Sequence, residues 1–264
     1  MGVEVAMKIA ASDFDGTLYH EEKGGISAED MEAIRRWQEE GHRFGLVTGR
    51  NLQLVELGLA GYDIRLDFCV ALNGAVVFDE AGREVFSAEM PREAVKALWE
   101  HEISAESPYV TTLQGTATYV RWNDPNWQSP LRKAGIPEVT PEEARALPHI
   151  LQLCFRAKSP ERAAELAKAL NRRFGDILSA EANLFYIDVC SVGNNKGTGL
   201  AHLREKMGWK DHPLYVIGDD LNDVSMIERF RGFAMESGNP KVKEIAGRTF
   251  PSVGAMLETV RKEA

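Results

Sequence analysis

The sequence has few cysteines, no long apolar segment and no surplus of basic residues, and each absence excludes a class of protein. Its three cysteines, Cys69, Cys154 and Cys190, lie far apart without Cys-x-x-Cys spacing, so we interpret them as buried free thiols in a reducing compartment. No apolar run approaches the length of a membrane span, and the N-terminal stretch MGVEVAMKIA lacks the apolar region of a signal peptide. We therefore expect a cytoplasmic protein with no membrane partner.

Acidic residues outnumber basic ones, which argues against nucleic acid as a partner. The chain has 40 Asp and Glu against 31 Lys and Arg, a formal net charge of -9, and no basic cluster reverses this sign locally. Its six histidines show no metal-ligand spacing, and we expect all of them at the surface. With 264 residues, 44% of them apolar, the chain is long enough for two compact globular domains.

Short apolar runs alternate with segments of helical periodicity in both terminal parts of the chain, which predicts an α/β fold with a parallel sheet. The strand candidates are MKIAASDF, RFGLVTGR, FCVALNGAVVFD with a turn at Asn73-Gly74, and PLYVIGDD. Ser27 and Asp30 resemble a capping box that opens a helix ending at Gly41. The pattern favours a doubly wound, Rossmann-like parallel sheet covered by helices.

The middle of the chain has its own alternation of helices and strands. Strands are predicted in YVTTL, ATYVRW, ILQLCFRA, DILSAE and NLFYIDV, and helices in PREAVKALWEHE, after Thr140-Pro141 and after Ser159-Pro160. The turn-rich segments DEAGRE and SVGNN bracket this region. We therefore predict a core formed by residues 1–83 and 187–264, interrupted by an inserted α/β domain at 84–186.

Polar residues follow the core strands at their carboxyl ends. They are Asp13 and Asp15 after the first strand, Thr48-Gly49-Arg50 after the second, Asn73 after the third, and GDDLND at 218–223 after the last. In an open α/β sheet, ligands bind outside the carboxyl ends of the strands. We therefore expect these groups to share one crevice.

Five of these residues are acids, and four of them, Asp13, Asp15, Asp219 and Asp223, are candidates for one cluster. Gathered in one place they repel one another unless they share protons or bind a cation. Oxygen-only ligands favour a hard cation, which points to Mg²⁺ and suits phosphate chemistry. Lys196 and Thr48 can then hold phosphoryl oxygens, while one carboxylate attacks phosphorus and a second acid protonates the leaving oxygen.

Each motif also has a simpler explanation by itself. An Asp-x-Asp pair before Gly16 is ordinary turn chemistry, Thr48-Gly49 is a common strand ending, and Lys196 in a glycine-flanked loop is typical of an exposed lysine. GDDLND is consistent with a helix N-terminus whose acids favour the dipole, and Asn73-Gly74 with a plain turn. The combination of the motifs, rather than any one of them, indicates a site.

The segments DFDGTL, VTGR, NNKG and GDDLND, in this order over nearly the whole chain, resemble the four motifs of the haloacid dehalogenase superfamily of phosphohydrolases. The large insert, together with LNGA and GDDLNDVSM, is similar to the Cof-like sugar-phosphate phosphatase branch, whose insert is a cap over the core. The resemblance therefore implies a phosphatase with a Rossmann-like catalytic core and an α/β cap.

The resemblance also implies a role for each motif residue. Asp13 would be the nucleophile and Asp15 the acid/base, while Thr48 and Lys196 would bind the phosphoryl group. The residues implied to hold Mg²⁺ or to complete its acidic loop are Asp13, Asp15 through its carbonyl, Asp219, Asn222 and Asp223. The motifs assign no role to Asp220 or Asn195.

The insert contains an aromatic-rich stretch, TYVRWNDPNW at 118–127. In its simpler explanation, Tyr119, Trp122 and Trp127 cover the core of the insert itself. In the functional alternative, Arg121 and Trp122 select the leaving group, since inserts of this family resemble lids that close over the substrate. The core residues expected to contact the substrate are Gly49, Arg50, Asn73 and Asn222.

The favoured hypothesis is a Mg²⁺-dependent phosphatase that hydrolyses a small phosphorylated metabolite, a sugar or polyol phosphate, through an aspartyl-phosphate. One alternative is a phosphomutase of the same superfamily, similar to phosphomannomutase, which returns the phosphoryl group to the sugar. The other is a non-enzymatic receiver-like phosphoacceptor, but a receiver needs only about half this length and has no second acid two residues after the acceptor. The sequence indicates neither the substrate nor the oligomeric state.

Overall fold

A computed structural model describes residues 6–107, 109–113, 117–121 and 135–263. The chain forms two compact units. The first comprises the residues up to Thr48, Gly58–Phe86 and the residues from Asn195 onward. The second comprises Gly49–Leu57 and the described part of Ser87–Asn194.

The described residues form strands and helices in alternation. The strands are β1 Ile9–Ser12, β2 Arg43–Val47, β3 Phe68–Ala71, β4 Val76–Asp79, β5 Glu84–Ser87, β6 Tyr109–Leu113, β7 Ala117–Arg121, β8 Glu138–Val139, β9 Gln152–Arg156, β10 Leu178–Asn183, β11 Tyr186–Ser191, β12 Leu214–Gly218, β13 Phe233–Met235 and β14 Thr249–Phe250. The α-helices are α1 Ala28–Glu39, α2 Leu52–Leu59, α3 Arg92–Trp99, α4 Glu102–Glu106, α5 Pro141–Ala146, α6 Pro160–Phe174, α7 Lys196–Lys206, α8 Val224–Phe230, α9 Pro240–Ile245 and α10 Val253–Val260.

The sheet of the first unit has eight strands in the order β14-β13-β12-β1-β2-β3-β4-β5. The strands from β14 to β3 pair in parallel, and β4 returns antiparallel to β3. In this register Ser12 lies opposite Leu46 of β2 and Ile217 of β12. The predicted parallel α/β core is confirmed, and the carboxyl ends of its central strands lie at one edge of the sheet.

Strands β1 and β3 are buried along their whole length, as expected for parallel strands covered by helices on both faces. Helix α1 begins at the predicted cap, because the Ser27 side chain accepts a hydrogen bond from the Asp30 amide at 3.0 Å. The buried Asp30 carboxylate also accepts from the Gly254 amide at 2.6 Å, so it caps α10. Gly41 follows the end of α1 with a φ of 86°, a conformation that favours glycine.

The second unit has a six-stranded sheet in the order β10-β11-β9-β6-β7-β8. Its strands pair antiparallel except β7 with β8. A capping box between Thr140 and Glu143 opens α5, and the Ser159 side chain caps α6. Leu98, Phe155 and Ile187 are among the buried residues of its hydrophobic core. In the described residues the predicted helices and strands of the insert lie near their predicted positions, whereas α4 and β8 were not predicted.

The boundaries between the units differ from the predicted ones. The second segment of the core was predicted to begin at residue 187, but β11 pairs with β9 and β10, so the first unit resumes only at Asn195. The insert was predicted to begin at residue 84, but β5 adds to the eight-stranded sheet and the first unit extends to Phe86. Both boundaries depend on strand pairing, that of β11 with β9 and β10 and that of β5 within the eight-stranded sheet.

One histidine departs from the expected surface placement. His42 is only 2% exposed and packs against Trp37 with 4.5 Å between the ring centroids, so the prediction is wrong for this residue. The three cysteines are free thiols, of which Cys69 and Cys190 are buried and Cys154 is partly exposed. Among the described residues, no helix combines the length and apolar character that crossing a membrane requires.

Candidate active site

Asp13 is the first residue after β1 and lies at the centre of the sheet edge. Its amide donates to the Ile217 carbonyl at 2.9 Å, which continues the parallel pairing with β12 by one residue. The Ser12 hydroxyl donates to the Asp13 carbonyl at 2.7 Å. The Asp13 side chain is buried, with the residue only 5% exposed, so its carboxylate is fixed in direction and largely removed from water.

Lys196 is the first residue of α7 and is 1% exposed. Its ammonium group donates to Asp13 Oδ1 at 2.7 Å and to Asp223 Oδ1 at 2.5 Å. The Asn195 side chain caps the same helix by accepting from the Thr198 amide at 2.9 Å. Asn195, to which the motifs gave no role, therefore fixes the start of the helix that carries Lys196.

The helix start is packed tightly against the turn after β3. A Cβ added at Gly74 would lie 2.1 Å from the Asn195 carbonyl oxygen, closer than atoms approach without displacement. Gly74 also has a φ of 94°, so glycine is required there for two reasons. The turn signal at Asn73-Gly74 therefore serves to position the helix of Lys196.

The Asp223 carboxylate closes the loop that follows β12. Its Oδ2 accepts from the Asp219 amide at 2.9 Å and from the Asp220 amide at 3.1 Å, while Oδ1 accepts from Lys196. The residue is fully buried. Both oxygens of Asp223 are thus engaged in orienting the loop and Lys196.

Asp219 is held by the loop that follows β1. The Thr17 hydroxyl donates to Asp219 Oδ1 at 2.8 Å. Gly16 has a φ of 81°, and a Cβ placed there would lie 2.6 Å from Asp219 Oδ2. Within the described residues, one carboxylate oxygen from each of Asp13, Asp219 and Asp223 lies within 4.8 Å of the other two.

The electrostatics of this cluster favour an added cation. Burial raises the pKa of Asp13 well above its usual value, and the Asp223 and Asp219 carboxylates raise it further against the opposing effect of Lys196. Burial likewise raises the pKa of Asp219. Burial alone would lower the pKa of Lys196, but the carboxylates of Asp13 and Asp223 raise it above the usual value. Three carboxylates thus face one ammonium group.

The donor set fits a hard divalent cation. It consists of carboxylate oxygens, which Mg²⁺ prefers, and its negative charge exceeds its positive charge. Asp13 and Asp219 fit the role of direct ligands. Asp223, which was predicted as a further ligand, is better suited to holding Lys196 and the loop because both of its oxygens already accept hydrogen bonds.

The other predicted core residues lie at the same sheet edge. Asp15 is exposed, and its backbone pairs with Tyr19. Thr48 is buried directly after β2, and its carbonyl accepts from the Asn73 amide at 3.0 Å. Asn73 is buried in a left-handed conformation with a φ of 51°. Asn222 is half-buried in the short 3₁₀ turn that follows β12.

Four of the predicted substrate-binding residues do not belong to the described part of the first unit, which holds this cluster. Gly49 and Arg50 group with the second unit, where Arg50 Nη1 donates to the Leu54 carbonyl at 3.2 Å. Arg121 ends β7 of the second unit. Trp122 lies outside the described residues, as does Trp127 of the same aromatic stretch.

The sequence contains local signals for Thr17 and Asn195, the two orienting residues to which the motifs assign no role. Thr17 is the last residue of the Asp-x-Asp-Gly-Thr segment, and its hydroxyl bonds Asp219. Asn195 followed by Thr198 has the spacing of a capping box. Thr17 orients Asp219, and Asn195 fixes the start of the helix that carries Lys196. The spacing of Asn195 and Thr198 indicates this role only once the helix start is known.

A buried lysine–aspartate pair among acids, at the carboxyl ends of a parallel sheet, suits phosphoryl transfer. The family model of haloacid dehalogenase-like hydrolases matches residues 10–254. The chain therefore belongs to this family, as its motifs implied, and it is a phosphatase of the phosphoric monoester hydrolase class.

Curated relatives and solved structures agree with this assignment. The 5-amino-6-(5-phospho-D-ribitylamino)uracil phosphatase YwtE of Bacillus subtilis is 26% identical over 265 residues, covering 90% of this chain and 91% of that protein. The pyridoxal phosphate phosphatase YbhA of Escherichia coli is 26% identical over 253 residues, covering 89% and 90%. The HAD subclass IIB sugar phosphatase BT4131 has the same fold, with a TM-score of 0.79 at 20% identity over 97% of this chain and 99% of that chain.

Proposed function

We propose that this phosphatase hydrolyses a sugar or polyol phosphate with the help of Mg²⁺, through an aspartyl-phosphate on Asp13. One observation carries the proposal: Lys196 holds the buried carboxylate of Asp13 at 2.7 Å in a cluster whose acids outnumber its bases. Such a carboxylate has a fixed direction of attack, and the lysine charge favours both its ionised form and an incoming phosphoryl group.

The two acids of the first loop divide the chemistry between them. An oxygen of Asp13 forms a bond to phosphorus while the bond from phosphorus to the leaving oxygen breaks, and Asp15 gives that oxygen a proton. In the second half-reaction Asp15 takes a proton from water, whose oxygen attacks phosphorus and releases phosphate and Asp13. This proton restores the acid form of Asp15, and the exposure of Asp15 supports the role because the attacking water must reach its carboxylate.

Asp13, Asp219 and the carbonyl of Asp15 would hold Mg²⁺. When bound, the ion neutralises charge on the carboxylates and on the phosphoryl oxygens. Thr17 supports this assignment, because its hydrogen bond fixes the direction of the Asp219 carboxylate. Asp223 would not bind the ion directly, but would orient Lys196 and the loop amides through its hydrogen bonds.

Thr48 and Lys196 bind the phosphoryl oxygens, and Asn73 and Asn222 contact the substrate from the same sheet edge. The support is positional: Thr48 follows β2, which pairs with β1 immediately before Asp13. Gly49, Arg50, Arg121 and Trp122 are proposed to contact the rest of the substrate. The second unit, as a cap, would then set specificity.

The substrate class is supported by the relatives. The YwtE phosphatase acts on a compound with a phosphorylated ribityl chain, which is a polyol phosphate, and YbhA acts on pyridoxal phosphate. Both are small phosphorylated metabolites. A partner of this kind also suits the net charge of -9, which disfavours nucleic acid. We propose that the enzyme works in the cytoplasm on such a metabolite.

The test is a screen of phosphorylated metabolites for free phosphate released per protein molecule with Mg²⁺. We expect many turnovers with at least one sugar or polyol phosphate, loss of turnover with excess chelator, and recovery with Mg²⁺ but poorly with Ca²⁺, whose geometry is looser. An isomerised sugar phosphate without free phosphate would indicate a mutase instead. Full activity in excess chelator would contradict the metal role of Asp219.

A further inference from the structure

The loop that carries Asp219 is held from outside the four motifs by one residue, Asn239. The Asn239 amide donates to the Asp219 carbonyl at 2.7 Å. Its side-chain Nδ2 donates to Asp220 Oδ1 at 2.9 Å. Asn239 therefore contacts two consecutive residues of the acidic loop, one through its backbone and one through its side chain.

The orientation of the Asn239 side chain is determined by its neighbours. Its Oδ1 accepts from the Lys241 amide at 3.1 Å and so caps α9. With the oxygen engaged there, the NH₂ group is directed at Asp220. The side chain thus joins a helix start to the acidic loop, and both of its polar atoms are used.

The residue before Asn239 brings the two loops into contact. A Cβ at Gly238 would lie 2.8 Å from the Asp219 carbonyl oxygen and 3.0 Å from its Cα, so a larger residue would push the loops apart. The segment after β13 therefore packs directly on the backbone of Asp219. Because of this close contact, a shift of Asn239 would also displace the backbone of Asp219.

We infer that Asn239 is a positioning residue for the cation site, acting through the backbone of Asp219 and the carboxylate of Asp220. Its contacts hold Asp219 where the side chain meets Thr17 and lies near Asp13. This inference rests on the proposed function, in which Asp219 holds Mg²⁺. Partners that orient metal ligands in this way typically change metal affinity by about 10- to 100-fold when they are replaced.

The substitution Asn239→Asp tests the inference at nearly constant shape. The new carboxylate still caps α9, because Asp is a good N-cap residue, but it faces Asp220 with a like charge in place of a donor. The double variant Asn239→Asp/Asp220→Asn restores a donor–acceptor pair with the roles exchanged. Asn239→Ser, which keeps a capping oxygen and replaces the amide NH₂ group with a shorter hydroxyl, serves if Asn239→Asp fails to fold.

The measurement is the Kd of Mg²⁺ for each protein by isothermal titration calorimetry, alongside the Mg²⁺ concentration that half-saturates phosphate release. We expect Asn239→Asp to raise the Kd by about 10-fold or more, and the double variant to recover most of that loss. The matched control is Asn171→Asp in the second unit, where the Asn171 side chain bonds both the amide and the carbonyl of Ala180 at 2.8 Å. It should lower the melting temperature and leave the Kd unchanged.

The outcomes separate this inference from the proposed function. Wild-type protein that binds Mg²⁺, with an unchanged Kd in Asn239→Asp and Asn239→Ser, would overturn the positioning role alone. A double variant that binds Mg²⁺ as weakly as Asn239→Asp would overturn it too, because the contact between residues 239 and 220 would then not explain the loss of affinity. Wild-type protein that binds no Mg²⁺, or Asp219→Asn that binds it as tightly as wild type, would overturn the proposed metal site itself.

Discussion

Lys196 Nζ lies 2.5 Å from Asp223 Oδ1, and both side chains are completely buried. Without the Asp223 carboxylate, Lys196 would keep only Asp13 as a partner, and the amides of Asp219 and Asp220 would lose their acceptor. A buried polar group left without its partner typically costs about 1 to 3 kcal/mol. Asp223 therefore supports the loop after β12 as well as the direction of the lysine.

We predict that Asp223→Ala lowers the free energy of unfolding by about 2 kcal/mol or more, measured in urea, because the two loop amides lose their acceptor. The control is Glu205→Ala, which breaks the exposed pair of Glu205 with Lys210 at 3.1 Å and should cost less than about 1 kcal/mol. Equal losses in the two variants would contradict the role given to Asp223 in holding Lys196.

Gly16 and Gly24 provide a matched pair for the packing of the first loop. Their φ angles are 81° and 84°, but a Cβ at Gly16 meets the Asp219 carboxylate, whereas a Cβ at Gly24 has nothing within 4 Å. Both alanine variants carry the left-handed backbone cost of about 1 kcal/mol. We predict that Gly16→Ala also displaces Asp219 and lowers kcat/KM at least about 10-fold, while Gly24→Ala retains activity. Similar kcat/KM values in both variants would show that the contact with Asp219 does not matter.

The buried His42 makes the stability of the first unit depend on pH. Burial lowers the pKa of His42, with the Lys8 charge as a further cause, and its Nδ1 accepts from the Lys8 amide at 3.2 Å. Because the depressed pKa means that the unfolded state binds the proton more readily, stability is complete above the unfolded pKa of about 6.5 and falls as pH drops below it.

We predict that His42→Asn, which keeps an acceptor but does not titrate, loses less unfolding free energy than wild type between pH 7 and pH 5. Urea unfolding at each pH measures this difference. A wild-type curve with the same pH dependence as the variant would contradict the account of His42.

The insert is predicted to set specificity through Arg121. Arg121→Ala should change the ratio of kcat/KM between two sugar phosphates far more than it changes turnover of a small aryl phosphate, because the aryl compound lacks the groups that the insert would recognise. Steady-state kinetics on the three substrates measure this. Equal losses on all of them would assign Arg121 to packing instead.

Much of the fold could be predicted because its signals are local. The central strands are continuous apolar runs, and the caps at Ser27, Thr140 and Ser159 are formed by residues within a few positions of the helix starts. The motif residues Asp13, Lys196, Asp219 and Asp223 meet because each follows a strand or opens a helix at the same sheet edge. The parallel strand order places these separate segments side by side, so their side chains form one cluster.

The remaining features depend on partners distant in sequence. Asp30 caps a helix 224 residues away, and Lys8 donates to a carbonyl 252 residues away. Asn239 has a local signal, since Asn before Pro is typical of a helix start, but its contact with Asp220 is invisible until the loops are packed. The same holds for β11, whose pairing with β9 decides the boundary of the insert.

The most direct test of the roles of Asp13 and Asp15 is the intact mass of the Asp15→Asn and Asp13→Asn variants after mixing with an activated aryl phosphate. An aryl leaving group departs with little protonation, so Asp15→Asn should form the aspartyl-phosphate and then stall, which gives a small burst of aryl alcohol and a phosphorylated protein. Asp13→Asn should show neither. A burst and added mass in Asp13→Asn with none in Asp15→Asn would reverse the two roles, and unchanged turnover in both would show that the chemistry occurs elsewhere.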